Sequence, residues 1–270
     1  MRLDPIAVTA GVRLVALGSV GSTNQEARLR AQRGESGPLW ITAATQTAGR
    51  GRSGRSWVSP EGNLYASLLL LEPSPIERAP ELAFVAALAL RDALVATVPA
   101  LAPQLRLKWP NDLLLAGEKC AGILIEGEIG SDQRVSVVIG IGVNCLSHPA
   151  TAPDRPATDL AVHLGPQGAA ITAPQLFWRL SATMCQRVAA WDRGQGFAGI
   201  RDDWLAAAHG IGEDITVRNG GSEQHGRFVG LDQSGRLMLE LHGGGVEKIS
   251  AGDVFPFDRR DGRRVPRRPG

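Results

Sequence analysis

Residues 45–57, which read TQTAGRGRSGRSW, combine three glycines and three arginines with almost no apolar side chains. Glycine permits backbone angles that are closed to other residues and lets a ligand approach the main chain closely. Arginine carries a permanent planar cation whose N–H groups match the oxygens of phosphates and carboxylates. The stretch is therefore typical of a mobile basic loop that holds an anion, although a solvated hairpin tip would have the same composition. The residues in question are Gly49, Gly51, Gly54, Arg50, Arg52 and Arg55.

Three further polar features interrupt apolar strand segments later in the chain. KWPND begins at Lys108, Lys119 opens the segment KCAGILIE, and GIGVN from Gly140 places glycines in a buried strand. Glycine inside a strand often marks the close approach of a ligand. Each feature has a simpler explanation, since Lys108 and Asp112 could pair with each other and Lys119 could sit at a hairpin tip. Their joint occurrence in neighbouring strands predicts one pocket.

Several common nucleotide, metal and hydrolase sites are disfavoured by pattern. No Gly-Lys-Ser/Thr follows Gly49, so the loop is not a P-loop, and the segment after Trp57 reads as a strand rather than as the helix of a dinucleotide fingerprint. Cys120, Cys145 and Cys185 have no CxxC spacing, which argues against a zinc site and a disulfide framework. We assign no catalytic histidine, because all five histidines fall in irregular or C-terminal segments.

The elements that must position these residues are short strands interspersed with helices. Ser22, Thr23 and Asn24 open a helix that follows a strand over 12–17 and runs to about residue 33. This helix start fits a capping box, and it could equally offer hydroxyls and free N–H groups to a ligand. Strands are predicted over 39–45, 63–71, 105–109, 113–116, 120–126 and 134–142, and helices over 81–98, 174–193 and 199–208. Sequential strands joined by short turns predict an α+β fold, with a mixed β-sheet and packed helices.

The composition shifts near residue 211, which divides the chain into two predicted domains. Residues 1–210 form the larger domain, and residues 211–258 read as short strands with tight polar turns. Asn219 and Gly220 form a hairpin signal, so this second segment is predicted to be a small β-barrel. Residues 259–270 are a basic tail that we predict to be disordered.

Charge is unevenly distributed along the 270 residues. The net charge is +2, but residues 258–270 contain six arginines and two aspartates, so the remainder carries −2. A body without net positive charge disfavours nucleic-acid binding. The N-terminal segment has an acid and a proline where a signal peptide needs an unbroken apolar stretch, and no run approaches the ~20 apolar residues of a membrane span. We expect a cytoplasmic protein without a membrane partner.

In combination, these motifs resemble those of the biotin–protein ligases. Ser22-Thr23-Asn24, GRGRSGRSW, KWPND, KCAGILIE and GIGVN have the order and spacing typical of that family, and the resemblance extends from about residue 12 to 257. It implies a fold resembling the catalytic domain of class II aminoacyl-tRNA synthetases, followed by an SH3-like C-terminal barrel. It also implies that biotin and ATP form biotinyl-5′-AMP. A lysine of a biotin carboxyl carrier domain, such as that of acetyl-CoA carboxylase, would then receive the biotin.

The resemblance implies a role for each motif residue. Lys119, Arg52 and Arg50 are expected to be catalytic, because they would bind the reacting carboxylate and retain the adenylate. The residues expected to contact biotin are Ser22, Thr23, Asn24, Gln46, Gly49, Arg50, Arg52, Lys119, Gly122 and Gly140. Those expected to contact ATP or the adenylate are Arg52, Arg55, Trp57, Lys108, Asn111, Asp112, Val143 and Asn144. Asp112 is also the expected position of Mg²⁺.

Two departures and three rival functions accompany the resemblance. Ser53 stands where some family members have a further basic residue, and only about eleven residues precede the first strand, so the helix-turn-helix of DNA-binding members is not expected. The nearest rival is a lipoate or octanoate ligase or transferase of the same superfamily, from which GRGRSGRSW and KWPND point away. More remote rivals are a nucleic-acid-binding protein and a biotin-sensing protein without catalysis.

Overall fold

The computed structural model describes residues 1–150, 156–164 and 171–257. The helices in these ranges are α1 (Pro5–Thr9), α2 (Thr23–Gln32), α3 (Leu82–Thr97), α4 (Leu160–Leu164), α5 (Ala173–Trp191) and α6 (Phe197–Ala206). The first strands are β1 (Arg13–Val20), β2 (Leu39–Gln46), β3 (Leu64–Leu71), β4 (Leu105–Lys108), β5 (Asp112–Leu115), β6 (Glu118–Ile129) and β7 (Val135–Val143). The remaining strands are β8 (Asp214–Asn219), β9 (Ser222–Leu231), β10 (Leu237–Leu241), β11 (Val246–Ile249) and β12 (Asp253–Pro256).

The first seven strands form one mixed sheet in the order β1-β2-β3-β7-β6-β5-β4. β1 and β2 are parallel, with α2 as the crossover between them, and the other neighbouring pairs are antiparallel. The predicted α+β fold with a mixed sheet is therefore confirmed. Sequence periodicity does not predict α1 or β12, because four or five residues are too few for a periodic signal.

Helices cover both faces of this sheet, as the alternation of side chains along β2 shows. Leu39 and Ile41 pack towards α2, whereas Trp40 between them contacts Phe177 of α5 with ring centroids 5.4 Å apart. α3 lies beside α5 and buries eleven of its sixteen residues, which explains why its sequence is apolar on nearly every side. This packing fixes the start of α2 beside the middle strands of the sheet.

The last five strands form an antiparallel sheet in the order β11-β10-β9-β8-β12. This C-terminal barrel docks on the larger domain through Trp109, whose Nε1 donates to the carbonyl oxygen of Gly235 at 3.1 Å. Gly235 has φ +77°, and a Cβ there would lie 2.7 Å from the Phe84 ring, so the contact requires glycine. This close contact between the two domains places β12 against the larger domain.

Among the described residues, no helix is long and apolar enough to cross a lipid bilayer. The second sheet begins at Asp214 and ends at Pro256, while the exact domain boundary at residue 211 stays a prediction. The predicted disordered tail, residues 259–270, lies outside the described residues.

Candidate active site

A cavity of about 350 Å³ opens where the start of α2, the basic loop, the middle strands β6 and β7, and strand β12 meet. Its volume is that of a small-molecule site. Fifteen of the seventeen predicted site residues line it, namely Ser22, Thr23, Asn24, Gln46, Arg50, Arg52, Arg55, Trp57, Lys108, Asn111, Asp112, Lys119, Gly122, Gly140 and Asn144. The other two do not line it, because Val143 is fully buried in the core and Gly49 packs against Trp57 and Ser59 at the base of the loop.

The start of α2 presents buried polar groups to the cavity. Ser22 is the N-cap residue by its extended backbone, but its side chain does not cap the helix, so the capping box does not form. Instead, Oε1 of Gln46 accepts from the backbone N–H of Thr23 at 2.9 Å and from its hydroxyl at 3.1 Å. This arrangement suits a polar ligand at a helix N-terminus, where N–H groups lack intrahelical partners.

Asn24, the third residue of this cluster, is held by two residues that sequence reasoning missed. Its Nδ2 donates to Oε2 of Glu126 at 2.7 Å, and the Ser67 hydroxyl lies 2.6 Å from its Oδ1. A Cβ at Gly140 would overlap the Asn24 amide, which explains the glycine in the buried strand β7. Both missed residues carry a weak signal, since Ser67 interrupts the apolar run LYASLLLL and Glu126 ends the apolar run GILI.

The three arginines of the basic loop are tied to three different elements. Arg50 lies 3.2 Å from the Glu126 carboxylate on β6. Arg52 donates to Oδ1 of Asn111, in the turn between β4 and β5, at 3.1 Å. Arg55 reaches the C-terminal barrel, where it forms a two-pronged ion pair with the Asp253 carboxylate. The structure therefore holds the loop against the cavity by side-chain contacts with both domains.

Arg52 is the most desolvated cation of this loop. Burial lowers the pKa of Arg52 below its ordinary value, while Asp253 and Asp112 act in the opposite direction. Its hydrogen bonds go to neutral acceptors, the Asn111 amide and the Gly252 carbonyl oxygen. A partly buried cation with neutral partners is costly, and an anion bound in the cavity would offset that cost.

Lys119 lines the cavity and pairs with Asp112. Its Nζ is 2.6 Å from Oδ1 of Asp112 and 5.4 Å from the centroid of the Trp57 ring. The Lys119 backbone is fixed by hydrogen bonds with the backbone of Pro156 and Thr158. A lysine held in this way supplies a localised positive charge at a defined point in the cavity.

The indole of Trp57 packs against two glycines that face each other across β6 and β7. Gly122 and Gly142 are register partners, and a Cβ on them would lie 3.0 Å and 2.6 Å from the ring. The buried indole N–H of Trp57 has no hydrogen-bond partner among the described residues. The glycines at positions 122, 140 and 142 therefore leave room for the side chains of Asn24 and Trp57, which form part of the cavity wall.

The C-terminal barrel contributes Asp253, Val254 and Phe255 to the cavity wall. Nζ of Lys108 lies 5.6 Å from the centroid of the Phe255 ring, so the KWPND motif faces the barrel. Sequence reasoning assigns no residue of the barrel to the site and leaves its role open, because no local signal around Asp253 indicates this contribution. This contribution depends on how the two domains dock.

Comparisons with known proteins identify the family. Residues 18–144 match the biotin/lipoate A/B protein ligase family, and residues 210–255 match the biotin protein ligase C terminal domain. The biotin–acetyl-CoA-carboxylase ligase of Paracoccus denitrificans is 42% identical over 88% of this chain and 98% of its own length. The bifunctional ligase/repressor BirA of Bacillus subtilis is 32% identical over 90% of this chain and 74% of its own length.

A solved structure agrees with both matches. The biotin protein ligase from Aquifex aeolicus, in complex with biotin and ATP, superposes with a TM-score of 0.73 at 26% identity, over 90% of this chain and 97% of that one. The fold, the order of the motifs and the extent of the sequence identity lead to the same assignment. This chain belongs to the biotin protein ligase family.

Proposed function

We propose that this protein activates biotin with ATP and transfers it to a lysine of a biotin carboxyl carrier domain, such as that of acetyl-CoA carboxylase. One observation carries the proposal. A single cavity is lined both by the buried polar cluster at the start of α2 and by Lys119 with the loop arginines. The first set suits an uncharged polar ring, and the second suits a carboxylate beside phosphates.

In the first step, a carboxylate oxygen of biotin attacks the α-phosphorus of ATP. The bond from that phosphorus to the bridging oxygen breaks, and pyrophosphate leaves with the electron pair. The two reactants are anions, so fixed cations must screen their repulsion and hold them in line. Lys119, Arg50 and Arg52 line the cavity and supply that charge from preset positions.

Asp112 is the residue that would hold Mg²⁺. Its Oδ1 is buried and, apart from its ion pair with Lys119, has no hydrogen bond among the described residues. No group of three or more His, Cys, Asp or Glu side chains within the described ranges is placed to bind a metal ion. Mg²⁺ commonly binds one or two carboxylates together with substrate phosphates, so a single protein carboxylate fits. When bound, the ion would neutralise phosphate charge.

In the second step, the neutral amine of the carrier lysine attacks the acyl carbon of biotinyl-5′-AMP. The bond from that carbon to the phosphate oxygen breaks, AMP leaves and one proton is released. The mixed anhydride must be kept from water until the carrier arrives. The basic loop lies against the cavity and buries much of Arg52, which supports a role in retaining the adenylate.

The polar cluster favours biotin over lipoate. The ureido ring of biotin has two N–H donors and one carbonyl acceptor, whereas the dithiolane ring of lipoate has no comparable groups. Ser22, Thr23 and Asn24 are each at most 4% exposed. Because the Ser22 hydroxyl does not cap α2, it can bond the ureido ring, and a lipoyl group would forgo that hydrogen bond; a missing hydrogen bond at a buried site discriminates between ligands.

The test is an intact-mass assay with the purified protein, Mg²⁺-ATP, an apo biotin carrier domain and either biotin or lipoate. We expect one biotin adduct on the carrier that requires ATP, and no lipoyl adduct. Attachment of lipoate alone would still agree with the superfamily but would contradict biotin as the substrate. Tight biotin binding without any adduct would favour a sensing role instead.

A further inference from the structure

We propose that Asp253 of the C-terminal barrel is a positioning residue that holds the basic loop over the cavity through Arg55. The inference deepens the proposed function, on which it rests, because it assigns the barrel a part in retaining the activated intermediate. It also changes the expected role of Arg55 from a contact with the nucleotide to an anchor of the loop.

All three guanidinium nitrogens of Arg55 are engaged, and two of them form the ion pair with Asp253. Nη1 and Nη2 of Arg55 donate to the two carboxylate oxygens of Asp253 at 2.8 Å and 2.9 Å. Nε of the same side chain donates to the carbonyl oxygen of Arg52 at 3.2 Å. Such bidentate pairs fix orientation as well as distance, because the planar fork matches the carboxylate. Arg55 is thus fixed by the protein itself.

Fixing Arg55 also fixes the rest of the loop, because residues 50–55 form a tight turn. The backbone N–H of Gly51 donates to the carbonyl oxygen of Arg55 at 2.7 Å, and that of Arg55 donates to Arg52 at 3.2 Å. The Gly252 carbonyl oxygen, next to Asp253, accepts from both Nη atoms of Arg52 at 3.4 Å. The start of β12 therefore contacts both sides of the turn, and it helps to hold Arg50 and Arg52 over the cavity together with their partners Glu126 and Asn111.

The barrel does not depend on this ion pair for its own position. It is anchored separately by the buried hydrogen bond from Trp109 to Gly235 and by the packing of Phe84 and Phe197 against that glycine. Its apolar residues also join the main core, as Phe228 and Leu237 do. Breaking the pair should consequently release the loop and leave the barrel docked.

The size of the effect follows from the exposure of the pair. The Arg55 and Asp253 side chains are 41% and 30% exposed, so the pair is partly screened by solvent. Exposed ion pairs are weak, and we expect the open state of the loop to become more populated by roughly two- to fivefold when this pair is lost. A change of that size alters retention of the intermediate without abolishing the reaction.

The experiment compares the parent with Asp253→Asn, Arg55→Lys and a control, using two readouts. Asp253→Asn removes the negative charge of the pair, whereas Arg55→Lys keeps the positive charge but loses the bidentate guanidinium geometry. The control is Glu247→Gln, an acid-to-amide change on β11 at the opposite edge of the same sheet. The first readout is the rate of trypsin cleavage after Arg50 and Arg52 without ligands, followed by fragment mass. The second is the ratio of biotinyl-5′-AMP released into solution to pyrophosphate formed.

We expect both loop variants to be cleaved and to leak intermediate roughly two- to fivefold faster than the parent, with unchanged melting temperature, and Glu247→Gln to match the parent. Cleavage and leakage equal to the parent in both loop variants would overturn the inference. A failure of the proposed function would look different. In that case the parent would form no pyrophosphate with biotin, but the trypsin cleavage rates would still show whether the Arg55–Asp253 pair holds the loop.

Discussion

Oδ1 of Asp112 lies 2.6 Å from Nζ of Lys119, so this cavity-lining cation is paired with a carboxylate from the neighbouring strand. The two residues lie on adjacent strands, β5 and β6, and the Trp57 ring lies 5.4 Å from the same Nζ. A ligand carboxylate that reaches Lys119 therefore meets a charge whose position is already defined. Preset charge of this kind stabilises a developing transition state without reorganisation.

Replacement of this lysine should mainly affect the first step. In Lys119→Ala, the Asp112 carboxylate loses its cationic partner and repels the incoming anions, so we expect pyrophosphate formation to fall by about 10²–10³-fold. The rate is measured with biotin and Mg²⁺-ATP and no carrier. Lys248→Ala, on the exposed strand β11, is the matched control and should behave like the parent. An unchanged rate in Lys119→Ala would show that the lysine is not part of the reacting centre.

Loss of the partly buried loop cation, Arg52, should release the intermediate. Arg52→Gly removes a partly desolvated charge that we expect to contact the adenylate, and hydrogen bonds to charged groups are strong enough for escape to accelerate about 10- to 100-fold. The readout is biotin labelling of an unrelated bystander protein in the same tube. Arg134→Gly, in the exposed turn before β7, is the control. Tight retention in Arg52→Gly would assign retention of the adenylate to other residues.

Gly140 should tolerate no side chain, because the Asn24 amide occupies the space of its Cβ. That amide cannot swing aside easily, since Glu126 and Ser67 hold it. Overpacking of this kind costs about 1–3 kcal/mol, so Gly140→Ala should lower the melting temperature or weaken biotin binding, measured by calorimetry.

The matched glycine control for this substitution is Gly199→Ala on α6. Apart from its chain neighbours and the backbone of its own helix, no atom lies within 4 Å of a Cβ at that position, so the change should be neutral or stabilise by about 0.4–1 kcal/mol. Equal effects of Gly140→Ala and Gly199→Ala would contradict the close packing of Asn24 on β7.

The buried carboxyl group of Glu81 predicts a pH-dependent contribution to stability. Burial raises the pKa of Glu81 above 4.5, against the opposing effects of Trp191 and Arg78. A raised pKa in the folded state means that the contribution is fully present below about pH 4.5 and is lost as the pH rises through the folded-state pKa. The side chain is only 10% exposed, and its Oε2 accepts from Nε1 of Trp191 at 2.6 Å.

Glu81→Gln keeps an acceptor for Trp191 but cannot titrate. We therefore expect the melting temperature of the parent, relative to this variant, to rise as the pH is lowered from 7 towards 5. The measurement is thermal unfolding of both proteins at several pH values in that range. A difference between the two proteins that stays constant with pH would show that Glu81 does not titrate differently in the folded state.

Much of the larger domain can be predicted from local patterns. The apolar runs that become β2, β3 and β7, and the nearly all-apolar sequence of α3, leave few alternatives to buried strands and a buried helix. The glycine-rich loop is equally predictable, because a segment with so many arginines and so few apolar residues cannot lie in a hydrophobic core. Local reasoning fails at the start of α2, where the spacing of Ser22 fits a capping box that does not form. The hydroxyl and the backbone N–H of Thr23 instead donate to Gln46, 23 residues away.

The sequence by itself determined the residue types that could do chemistry, namely the loop arginines, Lys119 and the polar start of α2, along with the strands and helices that carry them. Only the tertiary structure decided their partners. Arg55 and Asp253 are 198 positions apart, and Asn24 and Glu126 are 102 apart. Periodicity and turn signals act over a few residues, whereas such pairs depend on strand order and on how the barrel docks. For that physical reason, the role of the C-terminal barrel in the site emerged only from the folded molecule.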